Sequence, residues 1–297
     1  MNILYILGNG FDKAMGMATS YPEFYKYLKE NVKNGSSLFN KMMSQITSDT
    51  ALWSDMELAL GNFTDSTNDS EEFDDFYFEL NEYLQQYLKI ENDKFQPTKE
   101  LKTLLHGHNF SVMSLNYTNT FEKVFGMKYS NDYQHLTGNI YLQEVIHVHG
   151  TLGKSVIVGV DNEEQIKNTD FRDNNDIKDC MIKKQSNYSM KQTRHLYCQN
   201  LIDKADLIIL FGVSLGETDA HWWKRIGANL LKKKNLFIIQ HLYNPENVYP
   251  TQMQKRGRLE RKQQNIILDK FNISEENRTP ELRNRLYFTI NENIFKV

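Results

Sequence analysis

The chain opens with a short apolar segment that breaks at two glycines, and this feature limits the possible folds more than any other. The run Ile3–Leu7 has the length of a β-strand, and Gly8 and Gly10 follow it closely. Glycine tolerates tight turns and close backbone approaches, so N–H groups at such a turn can contact a ligand. A helix that follows would add its dipole and favour a bound phosphate. An ordinary tight turn remains the alternative, because Lys13 stands where G-x-G-x-x-G requires a third glycine.

The composition is that of a globular protein and excludes several classes. Of the 297 residues, 40% are hydrophobic and 12% aromatic, and the formal net charge is −3. The basic stretches 232–234 and 255–262 lack interleaved aromatic residues, so we expect solvated surface there and no nucleic acid partner. Cys180 and Cys198 form no C-x-x-C pair, which argues against a zinc ribbon or a disulfide framework. Without a signal peptide or an apolar run of ~18 residues, we expect a cytoplasmic protein that does not associate with a membrane.

The order of the later segments predicts an α/β fold. The short apolar runs are Phe110–Leu115, Val145–Val148, Ser155–Val158, Leu207–Phe211, Leu236–Ile239 and Tyr287–Ile290. Continuously apolar strands separated by helical stretches suit a parallel sheet that is covered on both faces. A capping box at Ser20–Glu23 and helical apolar spacing in 51–63 and 71–92 precede most of them. The sequence therefore predicts one Rossmann-like α/β domain over 1–297, with a mostly parallel sheet and a helical insert at about 31–100.

Small or polar residues follow four of these predicted strands. Ligands of such sheets bind beyond the carboxyl ends of the strands, so these residues mark a candidate site. They are Gly8, Asn9, Gly10, Phe11 and Asp12 after the first strand, Asn116 and Thr118 after the second, His149 after Val145–Val148, and Gly212, Ser214 and Asp219 after Leu207–Phe211. Each has an ordinary explanation by itself, as a turn residue, a hydrogen-bonded histidine or a helix cap. Together at one rim they favour a nucleotide pocket.

Three further positions have structural explanations. His147 and His149 alternate along a predicted strand and should share a face, but no third ligand stands at a recognisable spacing, so we expect no metal site. Asp219 precedes a predicted helix and can cap it. Glu57 lies beside the apolar stripe of 51–63, where a carboxylate needs a cationic partner from elsewhere in the chain.

Five of these motifs, in this order, resemble the AbiH family of bacterial phage abortive-infection proteins. They are Gly8–Asp12 with Thr19–Tyr21, then Trp53–Glu57, Leu115–Thr120, His147–Thr151 and Phe211–Leu215, and the likeness spans positions 1 to about 225. The same motifs resemble, more remotely, the sirtuin-like NAD-binding domains of anti-phage NAD hydrolases. The resemblance implies a sirtuin-like anti-phage effector with NAD or a related nucleotide as substrate or ligand. It also implies a homo-oligomer or a defence-system protein as partner.

The sirtuin likeness implies roles for individual residues. Gly8 and Gly10 take the place of the Gly-Ala-Gly loop around the NAD pyrophosphate. Gly212 and Ser214 match the Gly-x-Ser that contacts the phosphate and ribose on the adenosine side.

At the other end of NAD, Asn116 matches the asparagine that holds the nicotinamide ribose or the attacking water. His149 matches the histidine that acts as a base on the ribose. Thr118 stands where those domains have an aspartate, so a carboxylate is lost there. The zinc-binding cysteines of deacetylating sirtuins are also missing, so we do not expect deacetylation.

Cleavage of the nicotinamide–ribose bond suits this set of residues. A neutral group leaves through an oxocarbenium-like state, so the site needs a positioned ribose, a dry pocket and a base. Histidine is suited to act as that base at neutral pH, and Asn116 can both donate and accept hydrogen bonds. Two functions remain open: an NAD hydrolase, favoured by Asn116 and His149, and a non-catalytic nucleotide-binding sensor acting through a partner, favoured by Thr118. A nucleic-acid-directed toxin is a distant third.

Overall fold

One parallel β-sheet organises the part of the chain that the computed structural model describes, residues 1–97, 109–125, 141–243 and 251–291. Its six strands are β1 (Ile3–Leu7), β2 (Asn109–Ser114), β3 (Tyr141–His147), β4 (Leu207–Phe211), β5 (Phe237–Leu242) and β6 (Leu286–Ile290). Their order across the sheet is β3-β2-β1-β4-β5-β6, and all neighbours run parallel. This is the strand order of dinucleotide-binding Rossmann folds. The predicted Rossmann-like α/β class is therefore confirmed.

Helices occupy the connections, as parallel strands require. They are α1 (Asn9–Ala14), α2 (Tyr21–Asn31), α3 (Ser37–Ser48), α4 (Met56–Phe63), α5 (Ser70–Lys94), α6 (Thr120–Val124), α7 (Thr169–Asp173), α8 (Asn175–Met181), α9 (Lys183–Ser189), α10 (Arg194–Lys204), α11 (Ala220–Lys232), α12 (Met253–Lys270) and α13 (Pro280–Arg283). Of the described helices, none has the length and apolar character needed to cross a membrane.

Both faces of the sheet are covered, which explains the continuously apolar strands. On one face, Leu4 and Ile6 of β1 belong to a core formed with α10, α11 and α12. On the opposite face, Tyr5 packs in a second core that contains Phe11 of α1 and Phe121 of α6. Alternate residues of one strand therefore serve two cores.

A third core is built mainly from helices. Helices α2 to α5 lie between β1 and β2, where the sequence places a helical insert at about 31–100, and their apolar faces form this core. This core also includes buried side chains of residues 156–182, so the helical layer is formed by residues beyond the predicted insert as well as by the insert itself. Trp53 precedes α4 in a turn but is buried in the same core. The capping box is confirmed, since Ser20 N donates to the Glu23 carboxylate over 2.9 Å at the start of α2. The division into a single domain stays a prediction.

One predicted strand is wrong, whereas the other six correspond to β1 to β6. Ser155–Val158 is extended but pairs with no strand of the described residues. Ile157 N instead donates to the carbonyl of His149 over 2.9 Å, and the carbonyl of the last residue of the run accepts a hydrogen bond of 2.7 Å from the Tyr77 hydroxyl. Because these backbone groups find partners outside a sheet, the apolar run can be buried without strand pairing. The last predicted strand, Tyr287–Ile290, is part of β6.

Candidate functional site

The carboxyl ends of four strands lie level at one edge of the sheet. Leu7 pairs with both Ser114 and Phe211, and Ser114 pairs in turn with His147. A cavity of about 570 Å³ lies beyond this edge, lined by the loops that follow β1, β2, β3 and β4. It includes the point between β1 and β4 where the strand order reverses, which is where Rossmann folds bind their ligands. Its volume suits a small-molecule site.

Most residues that the sequence places at this rim line the cavity. They are Gly8, Asn9, Gly10, Asp12, Asn116, Thr118, His149, Gly212, Ser214 and Asp219. Phe11 is the exception and its assignment is corrected: its side chain is 1% exposed and packs against Phe121 and Phe211 with ring centroids 6.1 Å away. Helix α1 turns this side chain towards the sheet, so Phe11 supports the loop from below. The helical layer contributes Thr19, Tyr21, Ser54, Asp55, Glu57, Leu84 and Leu88 to the cavity wall.

The glycines bring the loops after β1 and β4 into direct contact. A Cβ atom on Gly10 would lie 2.4 Å from the Cα of Gly212, and Gly212 itself has a φ of +66°. Gly8 N donates to the carbonyl of Phe211 over 3.0 Å, and Gly10 N donates to the carbonyl of Gly212 over 2.9 Å. Both N–H groups are therefore engaged within the fold rather than turned towards a ligand. The glycines are needed here for close packing of two backbones.

Asp12 is a buried carboxylate in the cavity wall, and its side chain is held by two neighbours. Asn116 Nδ2 donates to Asp12 Oδ1 over 3.1 Å and to the carbonyl of Gly8 over 3.1 Å. The Thr118 hydroxyl donates to Asp12 Oδ2 over 2.6 Å, so Thr118 faces a carboxylate although it does not carry one. Burial raises the pKa of Asp12 to about 6, and the hydrogen bonds from Thr118, Thr120 and Asn116 offset only part of this rise.

These contacts change the role expected of Asn116. Both hydrogens of its side-chain amide are used inside the protein, so the donor half of the amide is not available to a ligand. The Oδ1 atom is left to accept a hydrogen bond from a ligand hydroxyl. Asn116 also links the loops after β1 and β2, because one of its bonds goes to Gly8.

His149 lies beside a buried cluster of charges. Its Nε2 atom is 3.0 Å from Asp219 Oδ1, but the two are not aligned for a hydrogen bond, and in the described ranges neither ring nitrogen has a hydrogen-bond partner. Lys183 Nζ lies 2.7 Å from Glu57 Oε2 and 3.2 Å from Asp219 Oδ1. Burial by itself raises the pKa of Asp219, but Lys183 and His149 hold it below its ordinary value. Burial likewise lowers the pKa of Lys183, and the carboxylates of Asp219 and Glu57 more than reverse this.

The sequence analysis does not predict Lys183 as a residue of this charge cluster. The sequence predicts a cationic partner for Glu57, and the structure identifies it as Lys183, 126 positions away. A single lysine in a polar segment carries no local signal that distinguishes it from a surface lysine. Asp219 occupies the N-cap position of α11, as expected, but its carboxylate makes no capping hydrogen bond and contacts Lys183 instead.

The two histidines expected on one face of a strand lie in different environments. Strand β3 ends at His147, and His149 lies in the turn that follows, so the strand alternation does not reach it. His147 Nε2 is 2.7 Å from Glu122 Oε1, and its Nδ1 is 2.9 Å from the carbonyl of Asn116. Burial lowers the pKa of His147, but Glu122 and the Asn116 carbonyl raise it above its ordinary value. Within residues 1–97, 109–125, 141–243 and 251–291, no group of three or more His, Cys, Asp or Glu side chains is arranged to hold a metal ion.

The fold and the site together define a Rossmann-fold protein. Its ligand cavity lies where the strand order reverses between β1 and β4, and the helical layer forms the opposite wall of this cavity. The model of the family described as bacteriophage abortive infection AbiH matches residues 4–103 and 79–241. The chain therefore belongs to the AbiH family and has an anti-phage abortive-infection role. A search of curated proteins finds no match.

Proposed function

We propose that the cavity binds NAD and cleaves its nicotinamide–ribose bond, so that the protein depletes NAD during phage infection. The observation that carries this proposal is His149. Its imidazole is buried in the cavity wall, and its Nδ1 atom has no hydrogen-bond partner in the described chain. An unsatisfied buried polar group costs about 1–3 kcal/mol, so we expect a ligand to satisfy it.

The surroundings of His149 suit a general base. Asp219 Oδ1 lies 3.0 Å from Nε2 and stabilises the imidazolium that forms when the ring takes up a proton. Nδ1 is then the nitrogen left to accept that proton from a ribose hydroxyl or from water. A positioned base of this kind contributes about 10²- to 10⁴-fold to a rate.

The charge of the site suits the reacting end of NAD. Glu57 and Asp219 carry two negative charges against the one positive charge of Lys183, which leaves a net negative cluster beside His149. Nicotinamide leaves from a cationic ring, and the ribose passes through an oxocarbenium-like state. Fixed negative charge in a site that excludes water stabilises such a state.

Nicotinamide release from NAD tests the proposal directly. Purified wild type and His149→Ala are incubated with NAD, with and without phage components, and the products are separated by chromatography. We expect release by the wild type and a loss of about 10²-fold or more in His149→Ala. His195→Gln is the matched control, because it removes another buried imidazole that does not line the cavity. Absence of release by the wild type under every condition would refute the proposal.

A non-catalytic nucleotide sensor is the second candidate, and the bonds of Asn116 favour it. Asn116 Nδ2 joins the loops after β1 and β2 through Gly8 and Asp12. A nucleotide that displaces one of these bonds would shift both loops and signal to a partner, either a second copy of the chain or another defence protein. NAD binding without any product, equal in wild type and His149→Ala, would favour this function.

A further inference from the structure

Asp12 has an acceptor capacity that the protein does not use. Its carboxylate accepts a hydrogen bond from Asn116 on Oδ1 and from Thr118 on Oδ2, and Thr120 also stabilises its charged form. A carboxylate has about four acceptor positions, and a buried one is stable only when these are occupied or when a cation is near. Among the described residues no lysine or arginine side chain pairs with Asp12, although the charge of His147 also favours its ionised form, and Asp12 is part of the cavity wall. The remaining acceptor positions are thus open to a ligand.

Depth and charge decide which part of a nucleotide can lie next to this carboxylate. Asp12 is 1% exposed and Glu57 is 7% exposed, whereas Ser214 and Glu217 are exposed at the mouth of the cavity. Lys270 also lines the mouth, where it contacts Glu217. A phosphate beside Asp12 would bring two buried like charges together, which is strongly unfavourable. The phosphates therefore belong towards the mouth, and an uncharged or cationic group belongs beside Asp12.

We infer that Asp12 accepts a hydrogen bond from a donor group at the uncharged or cationic end of the bound nucleotide, which in NAD is the carboxamide N–H₂ of the nicotinamide ring. This inference rests on the proposed function and adds the orientation of the ligand and a basis for selectivity. The same carboxylate repels a dinucleotide that carries a carboxylate in place of the carboxamide. Asp12 thereby selects nicotinamide over nicotinic acid nucleotides.

Binding affinities test the inference without requiring turnover. NAD, its nicotinic acid analogue and ADP-ribose are titrated by calorimetry into the His149→Ala chain, with and without Asp12→Asn. With Asp12 present, we expect NAD to bind about 10- to 100-fold more tightly than the analogue, the range of one hydrogen bond to a charged group. Asp12→Asn should remove most of this preference, because an amide neither repels the carboxylate nor requires a donor. ADP-ribose lacks the ring, so its affinity should not change.

Glu217→Gln is the matched control, since it removes the same charge at the exposed mouth and should leave the preference intact. Equal affinity for NAD and the analogue in the chain that retains Asp12 would overturn this inference and leave the proposed function standing. That comparison does not depend on how well the Asp12 variant folds. If neither dinucleotide binds, the proposed function fails, and this inference fails with it.

Discussion

Asparagine in place of Asp12 should stabilise the folded protein at alkaline pH. Burial raises the pKa of Asp12 from 3.8 to about 6, so the folded state holds this proton more tightly than the unfolded state. A raised pKa contributes stability that is complete below pH 3.8 and is lost as the pH rises through about 6. Above that pH the wild type keeps a buried carboxylate whose hydrogen bonds offset only part of the cost of its burial, whereas the variant has a neutral amide of similar shape.

The size of the effect follows from the pKa shift. One pKa unit corresponds to about 1.4 kcal/mol, so the full shift corresponds to roughly 3 kcal/mol between the acid and alkaline limits. Between pH 5 and pH 8, most of the folded-state titration of Asp12 occurs. The stability gained by Asp12→Asn over the wild type should therefore be larger at pH 8 than at pH 5 by about 1–2 kcal/mol.

Urea unfolding of wild type and Asp12→Asn at pH 5 and pH 8 measures this difference. Titrating groups that do not interact with Asp12 are common to both proteins, so their effects cancel, whereas His147, whose pKa the Asp12 carboxylate helps to raise, contributes to the measured difference. The amide can keep both neighbours, because its oxygen accepts from Asn116 and its nitrogen donates to the Thr118 hydroxyl. A difference between variant and wild type that is the same at both pH values would refute the reasoning. Such a result would mean that Asp12 titrates alike in the folded and unfolded chains.

Two further substitutions test the packing of the site. Lys183→Met should lower the free energy of unfolding by about 3–5 kcal/mol, because Glu57 and Asp219 are then left buried without a cation. Adding Glu57→Gln to this variant should recover part of the lost stability. No recovery in the double variant would count against the ion cluster. Gly212→Ala should lower the free energy of unfolding in urea by about 2 kcal/mol or more, because φ is +66° and the new Cβ would lie 2.4 Å from Phe11 N. A variant as stable as the wild type would contradict the close approach of the two loops.

The features that the sequence predicts best are those with a local physical signal. The strand Ile3–Leu7 and the later apolar runs show their burial directly, because both faces of the sheet are covered. Glycine turns and polar residues at strand ends identify the rim, since the carboxyl ends of parallel strands meet at one edge. By contrast, Ser155–Val158 has the same apolar character as a strand but is buried among helices. The groups that hydrogen-bond to its backbone, such as the Tyr77 hydroxyl, come from distant parts of the chain and leave no local pattern in the sequence.

The electrostatics of the site lie beyond sequence reasoning for the same reason. Lys183, Glu57 and Asp219 come from three separate segments and meet only in the folded chain. Asp12 looks like a loop residue in the sequence, and its raised pKa arises from complete burial that no neighbour in the sequence announces. The sequence predicts that Gly8 and Gly10 present their N–H groups to a phosphate. Their donation to the loop after β4 depends on which strand lies next to β1.

The NAD content of infected cells tests the central claim most directly. Cells that carry the wild-type chain or His149→Ala are infected with a phage that the wild type restricts, and NAD is quantified by chromatography through the infection. We predict that NAD falls and nicotinamide rises only with the wild type, and that His149→Ala loses protection together with the fall in NAD. Protection by the wild type at an unchanged NAD level would contradict the account.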